Sequence, residues 1–224
     1  MKKGFLVAAP IFLVLLLAMS SAASEITFEL NFEYTDDGTE PGGEIPWLTA
    51  VFDDTDQKPN TVKLTMAATN LIASEFVGKW FFNMDDTVVT DPFLVFTNLS
   101  GPAPPPSFGL NNQNAAGAQG AGFDILFDFP QSNGNRFGSS EPSVYQIELQ
   151  DGSTSTLNAE SFNFTNEGGN FLSAAHVQGI GPSGDDSGWI AATGTTDIPE
   201  AASVLSLGLG ILGIGLIASR KRFR

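Results

Sequence analysis

Apolar and polar residues alternate over several short stretches of this chain, with the period of two that is typical of a half-buried strand. The clearest example is residues 26–34, where every second residue from Ile26 to Tyr34 is apolar and the intervening residues are polar. Residues 61–66 and 123–129 largely repeat this alternation. Shorter strands are predicted at 48–52, 76–84, 93–96, 144–149, 161–165, 171–177 and 188–192. Outside the two ends of the chain, no segment has the apolar stripe of an amphipathic helix, so an all-β fold is predicted.

Short strands separated by turns rich in Gly and Pro, together with 19 phenylalanines, are typical of an antiparallel β-sandwich, and the predicted fold is jelly-roll-like. The predicted sandwich domain covers residues 24–193. Residues 97–122 interrupt the strand pattern, because proline crowds the first part and Asn, Ala and Gly crowd the second. Such a stretch has few side chains that could anchor it, so a long flexible loop is predicted there.

The first 23 residues have the three-part pattern of a secretory signal peptide. Lys2 and Lys3 come first, an apolar run from Phe5 to Met19 follows, and small residues occupy positions 20–23. This order predicts an N-terminal signal helix over residues 1–23 that is removed by cleavage near Ala23. The small residues at its end favour a cleaved leader over a retained membrane anchor.

The other end of the chain, residues 194–224, is predicted to be a second targeting segment. No charged residue occurs from Ala201 to Ser219, and a helix of about 20 apolar residues is long enough to cross a membrane. A transmembrane helix is therefore predicted at 201–219. The basic tail 220–224 follows it, and the positive-inside rule predicts that this tail lies in the cytoplasm and the domain on the opposite side of the membrane.

A short acidic motif stands before the glycine-rich span and basic residues follow it: Pro199, Glu200 and Ala201, then Arg220, Lys221, Arg222 and Arg224. This order resembles the PEP-CTERM sorting signal of bacterial surface proteins, although Ala201 replaces the third residue of the family's Pro-Glu-Pro motif. The resemblance implies that these residues form the sorting signal. It also implies a partner, the membrane protease exosortase, which removes the transient anchor after export through the secretion machinery.

Three segments of the domain, 76–83, 123–130 and 174–190, are also similar to segments of PEP-CTERM proteins of uncharacterised function. This resemblance implies an ectodomain family that has no assigned chemistry. It further implies a location at the cell surface or in the extracellular matrix, in an exopolysaccharide or biofilm context.

The region between the two targeting segments is strongly acidic. From Ser24 to Ile198 there are 24 acidic residues against four basic ones, a net charge of −20, while the whole chain carries −15. Such a surface repels nucleic acid, so no nucleic-acid partner is expected. The chain has no cysteine, so thiol chemistry and disulfides are excluded. Its single histidine, His176, excludes a metal site built from several histidines.

Catalytic chemistry would have to come from a few residues. His176 is the one imidazole available to a Ser-His-acid triad, but no Gly-x-Ser-x-Gly turn accompanies it, and a structural histidine in a strand is the favoured interpretation. Asp124 and Asp128 lie on the polar face of one predicted strand and offer the paired carboxylates of a glycoside hydrolase. With 24 acids in the domain such a pair has little specificity, and two solvated carboxylates are favoured. We therefore predict no catalytic residue and no enzyme activity.

Two groups of acidic residues have the oxygen-rich composition that Ca²⁺ accepts: Asp53, Asp54 and Asp56 in one predicted loop, and Asp185 and Asp186 in another. Neither group has the spacing of an EF-hand. Structural calcium is therefore a speculative cofactor, and no other cofactor is predicted.

The aromatic residues Trp47, Trp80 and Trp189 could form a sugar-stacking platform, although aromatic residues in strands more often belong to the core. The favoured function is a non-catalytic exported protein of the cell surface or matrix. Two alternatives stay open at this point: a carbohydrate-binding or calcium-dependent adhesion module, and a secreted glycoside hydrolase.

Overall fold

The computed structural model describes residues 24–87, 94–132, 134–150, 153 and 155–198, with the backbone alone for 195–198. The predicted signal helix 1–23, the sorting residues 199–201, the transmembrane helix 201–219 and the tail 220–224 lie outside these residues. The strands are β1 Glu25–Leu30, β2 Phe32–Glu33, β3 Leu48–Asp53, β4 Thr61–Ala67, β5 Phe76–Phe82, β6 Leu94–Ser100, β7 Ser107–Gln113, β8 Phe123–Asp128, β9 Ser143–Leu149, β10 Ser173–Ile180, β11 Asp186–Ala192 and β12 Thr195–Ile198. Two short 3-10 helices cover Ala118–Gly120 and Ala159–Phe162.

These strands form two six-stranded antiparallel sheets. The first sheet has the order β12-β1-β3-β4-β9-β6, and the second has the order β2-β11-β10-β5-β8-β7. The prediction of an all-β fold built from antiparallel sheets is confirmed. No helix in the described part of the chain is long and apolar enough to span a bilayer.

Aromatic side chains from the two sheets meet in the core between them. The rings of Phe28 and Phe52 in the first sheet lie 6.3 and 5.3 Å from the ring of Phe82 in the second. Phe127 of the second sheet lies 4.9 Å from Tyr145 of the first. These contacts show that the sheets pack face to face as a sandwich. Because the chain has no cysteine, no disulfide stabilises the sandwich, and burial of such rings has to supply that stability.

The stretch 26–34 is not the single strand that its alternation predicts. β1 ends at Leu30 in the first sheet, and β2 begins at Phe32 in the second. The amide of Asn31 donates to the carbonyl of Ala191 at 3.3 Å, so the chain passes from one sheet to the other at this residue. Phe32 is consequently 49% exposed, although the period of two assigned it to the buried face.

The prediction of one long loop at residues 97–122 is wrong. They contain the end of β6, the edge strand β7 and a 3-10 helix. Asn166 fixes the last part, because its Nδ2 donates to the carbonyls of Gln119 and Ala121, both at 2.7 Å. This segment covers a second apolar cluster on the outer face of the second sheet, formed by Phe81, Ala115, Phe123, Phe171, Ala174 and Ala191.

A strand predicted at 161–165 is absent from the described fold. The chain forms the 3-10 helix Ala159–Phe162 there, because Asn158 caps it. The Asn158 side chain accepts a hydrogen bond from the amide of Ser161, and the Ser161 hydroxyl accepts one from the amide of Asn158. This reciprocal capping favours a helical turn over an extended strand.

The folded unit extends beyond its predicted limit at residue 193. β12 covers Thr195–Ile198 and pairs with β1, with Glu25 opposite Ile198. The strand thus occupies part of the segment 194–224 that the sequence assigned to sorting. The first and last residues of the sandwich lie side by side at one end of the first sheet.

Candidate functional site

Three adjoining surface cavities at this end of the sandwich form one groove, which we call the end groove. It lies between residues 54–61, from the loop after β3 to the start of β4, and described residues of the range 148–164, from the end of β9 onward. The cavities have volumes of about 310, 270 and 420 Å³. The first two share Lys58 and Asn60, and the first and third share Thr156 and Asn158. Cavities of this size are at the lower end of those that bind small ligands.

Hydrogen bonds join the two walls of the end groove. Asp54 Oδ2 accepts from the amide of Ala159 at 2.8 Å, and Asn60 Oδ1 accepts from the amide of Leu157 at 3.1 Å. Asn60 has a φ of 61°, the left-handed conformation that asparagine tolerates better than most residues. The groove is therefore shaped before any ligand binds.

The lining of the end groove is mostly neutral and able to form hydrogen bonds. Amide and hydroxyl side chains predominate: Gln57, Asn60, Thr61, Ser153, Thr156 and Asn163. Lys58 contributes a cation, and Phe164 adds an aromatic ring that is 41% exposed. Four lining residues contribute carboxylates: Asp54, Asp85, Glu148 and Glu160. Side chains of this kind suit a ligand with many hydroxyl groups and an apolar face.

Asp53, one of the acidic residues proposed for calcium, is held by other contacts. Asp53 forms an ion pair with Lys63, with 2.6 Å between Oδ2 and Nζ, and Thr55 donates to its other oxygen. Burial alone would raise the pKa of Asp53, but the hydrogen bonds from Lys63 and Thr55 outweigh it and lower that pKa. In the ranges that the structure describes, no group of three or more Asp, Glu, His or Cys side chains is placed to hold a metal ion. Asp54, Asp56, Asp185 and Asp186 are therefore not gathered into a calcium site there.

His176 lies on β10 and its ring stacks on Trp189, with 4.5 Å between the ring centres. Its Nδ1 is 3.3 Å from Nε2 of Gln178. Burial lowers the pKa of His176, and the positive charge of Lys79 lowers it further. Lys79 is its register partner on β5. A neutral imidazole packed against an indole is a structural arrangement rather than a poised general base.

The alternation predicts that Asp124 and Asp128 both lie on a solvated face, but the structure separates them. Asp128 is exposed, whereas Asp124 is 2% exposed. The carboxylate of Asp124 accepts from the amides of Met84 at 2.9 Å and Asn111 at 2.7 Å. Burial raises the pKa of Asp124. This carboxylate joins β7 to the residues that follow β5 and does not face an open cleft.

The proposed sugar platform is also dispersed. Trp80 is fully buried and donates from Nε1 to the hydroxyl of Ser173 at 2.9 Å. Trp47 is buried and donates from Nε1 to the carbonyl of Gly43 at 2.9 Å. Trp189 is half-buried against His176. The exposed aromatic residue beside a groove is Phe164, which the sequence did not single out.

No role for Asn60 was predicted from the sequence, although the sequence contains a signal for its unusual backbone conformation. The Pro59-Asn60 pair between two alternating stretches is a turn signature, and Asn is the residue that most readily takes a positive φ after Gly. What the sequence lacks is any mark that residues 54–61 and 148–164 form opposite walls of one groove.

No protein-family model, no curated protein and no solved structure matches this chain. The end groove and the pairing of Glu25 with Ile198 are therefore the features from which a function is inferred.

Proposed function

We propose that this chain is a non-catalytic exported protein that is processed through a C-terminal PEP-CTERM-type sorting signal and delivered to the cell surface or extracellular matrix. The observation that carries this proposal is the position of the folded unit. β1 begins at Glu25, two residues after the predicted leader, and β12 ends at Ile198, one residue before Pro199. The sandwich thus fills the chain between the predicted leader and Pro199, and β12 takes up residues 195–198 of the predicted segment 194–224.

In this proposal, the jelly-roll-like domain is flanked by a signal helix over 1–23 and a membrane helix over 201–219. The membrane helix holds the protein transiently with its C-terminus in the cytoplasm. An exosortase-type protease then recognises Pro199 and Glu200 and releases the domain. The net charge of −20 between Ser24 and Ile198 keeps nucleic acid from being a partner. The exopolysaccharide or biofilm context is what the resemblance to PEP-CTERM proteins implies.

Intact mass spectrometry of the protein from its native envelope and medium tests this proposal. A mature species that lacks both ends is expected in the medium, and the double variant Pro199→Ala, Glu200→Ala is expected to stay in the membrane with its full tail. The variant Glu141→Ala, Pro142→Ala is a matched control, because it removes an exposed Glu-Pro pair within the domain. A native species that still ends at Arg224 would overturn the proposal.

A carbohydrate-binding role is a second candidate, and the end groove favours it. Its hydrogen-bonding lining and the exposed ring of Phe164 suit a neutral polysaccharide. Affinity electrophoresis through a gel that contains a soluble neutral glucan provides a test. Retarded migration is expected, and Phe164→Ala should abolish it while Phe32→Ala, which removes a ring of similar exposure elsewhere, should not. Equal migration of all three proteins would exclude this role for the groove with that probe.

The calcium-dependent form of this role has no supporting group among the described residues. The glycoside hydrolase alternative gains nothing from Asp124 and Asp128, because the first carboxylate is buried and bonded to two backbone amides.

A further inference from the structure

Asp54 holds the backbone at the point where the folded unit begins. Its Oδ1 accepts a hydrogen bond from the backbone nitrogen of Ser24 at 2.6 Å, and its own amide donates to the carbonyl of Ser24 at 3.1 Å. Glu25 follows and opens β1. Ser24 is therefore fixed from both sides, one residue before the first strand.

The sequence leaves the position of leader cleavage open. A signal peptidase requires small residues at the last and third-last positions of the leader. Cleavage after Ala22 places Ala22 and Ser20 there, and cleavage after Ala23 places Ala23 and Ser21 there. Both bonds satisfy the requirement, so the sequence does not distinguish them.

We propose that a signal peptidase hydrolyses the Ala23–Ser24 bond and that the new amino terminus of Ser24 forms an ion pair with Asp54. This inference rests on the proposed export. Water adds to the carbonyl carbon of Ala23, and the bond between that carbon and the Ser24 nitrogen breaks. Ala23 leaves as a carboxylate with the leader, and the Ser24 nitrogen takes up both protons of the water molecule and becomes an ammonium group.

The geometry favours this bond over its neighbour. The Ser24 nitrogen already lies 2.6 Å from a carboxylate oxygen, and cleavage replaces its one amide proton with three protons and a positive charge. Cleavage one residue earlier would leave an amide at this place and move the charge by about 3.8 Å along the chain. The other oxygen of Asp54 accepts from Ala159, so the ion pair would tie the mature terminus to a wall of the end groove.

Mass spectrometry of the amino terminus of the native protein is the first arm of the test. A mature chain that begins at Ser24 is expected. A chain that begins at any other residue of the small-residue stretch would overturn this inference and leave export standing. A chain that still carries residues 1–23 would overturn export itself.

Stability measurements form the second arm and test the ion pair directly. Two chains that end at Arg224, one beginning at Ser24 and one at Ala22, are compared with and without Asp54→Asn. The two added residues are expected to lower the folding equilibrium constant up to about fivefold in the Asp54 chain and to have no effect in the Asp54→Asn chain. The exposed Asp56→Asn serves as the control and should retain the difference. An equal effect of the extension in all backgrounds would show that Asp54 does not bind the terminus.

Discussion

Asn60 provides the sharpest test of the end groove, because one residue supplies both an unusual backbone conformation and a contact between the walls. Its φ is 61°, and its Oδ1 accepts from the amide of Leu157 at 3.1 Å. Replacement by alanine keeps the backbone in a left-handed conformation that costs about 1–2 kcal/mol for residues without the local hydrogen bonding of Asn or Asp. It also removes a hydrogen bond that contributes about 0.5–1.5 kcal/mol. We therefore expect Asn60→Ala to lower the free energy of unfolding by about 1.5–3.5 kcal/mol.

Two matched variants separate these contributions. Asn60→Gly accepts the positive φ without strain and loses the hydrogen bond alone, so a loss of about 0.5–1.5 kcal/mol is expected. Asn60→Asp keeps an acceptor oxygen and tolerates the left-handed conformation, so its stability should be close to that of the unchanged chain.

Urea unfolding followed by tryptophan fluorescence measures the three losses, and amide hydrogen exchange at Leu157 reports on the wall contact. Exchange at Leu157 should accelerate in Asn60→Ala and in Asn60→Gly but not in Asn60→Asp. Equal stability of the alanine and glycine variants would refute the strain at this position. Unchanged exchange at Leu157 in Asn60→Ala would refute the hydrogen bond between the walls.

Three further outcomes are expected. The pKa of Asp53 is lowered in the folded chain, so its pairing with Lys63 stabilises the fold at pH values above 3.8, the ordinary pKa of an aspartate. This contribution is lost as the pH falls through the lowered pKa. Lys63→Met should therefore cost about 1 kcal/mol in urea unfolding at neutral pH and progressively less toward about pH 3. Asp124→Asn should lower the midpoint of thermal unfolding by several degrees. The new NH₂ group would face one of the two backbone amides that donate to the carboxylate, and the donor left unsatisfied costs about 1–3 kcal/mol. An unchanged midpoint would refute this. We expect the proposed protease to reach Pro199 only when β12 has separated from β1. A disulfide between Thr27→Cys and Thr196→Cys, which are register partners of β1 and β12, should therefore slow the proposed processing until a reductant is added, and intact mass spectrometry would reveal processing that ignores it.

The sequence predicted the class of the fold because alternation reports burial directly. The centres of β3, β4 and β8 were identified from the period of two, which a sheet with one buried face imposes on its strands. β5 and β10 were also predicted, but they are buried on almost all positions of both faces and show no such clear alternation. The same rule failed at residues 26–34. Alternation is unchanged when a chain leaves one sheet and enters another, so the crossing at Asn31 left no mark in the pattern.

Asp124 shows a second limit. An acidic residue between two apolar ones predicts a solvated position, but a carboxylate can also be buried when backbone amides satisfy it. The amides that do so belong to Met84 and Asn111, which lie 40 and 13 residues away in the sequence. Pairing at such distances cannot be read from local composition.

The prediction of a long loop at 97–122 was wrong for a related reason. Its composition offers few apolar anchors of its own, and it is held from outside by the side chain of Asn166. The end groove has the same origin, because its walls come from segments almost one hundred residues apart, joined through Asp54 and Asn60. The candidate site therefore depends on tertiary contacts that the sequence does not display.

The pairing of β12 with β1 has a mechanical consequence. Glu25 opposes Ile198 at one end of the ladder, so a force that pulls the two ends of the sandwich apart would load its backbone pairs one after another. An antiparallel pair loaded in this way opens like a zipper, and each step has to break few hydrogen bonds. Because β1 is also paired with β3 whereas β12 is an edge strand with one partner among the described strands, β12 is the strand that detaches first. The sandwich is therefore expected to yield first, and at low force, along the direction in which a membrane anchor would pull it.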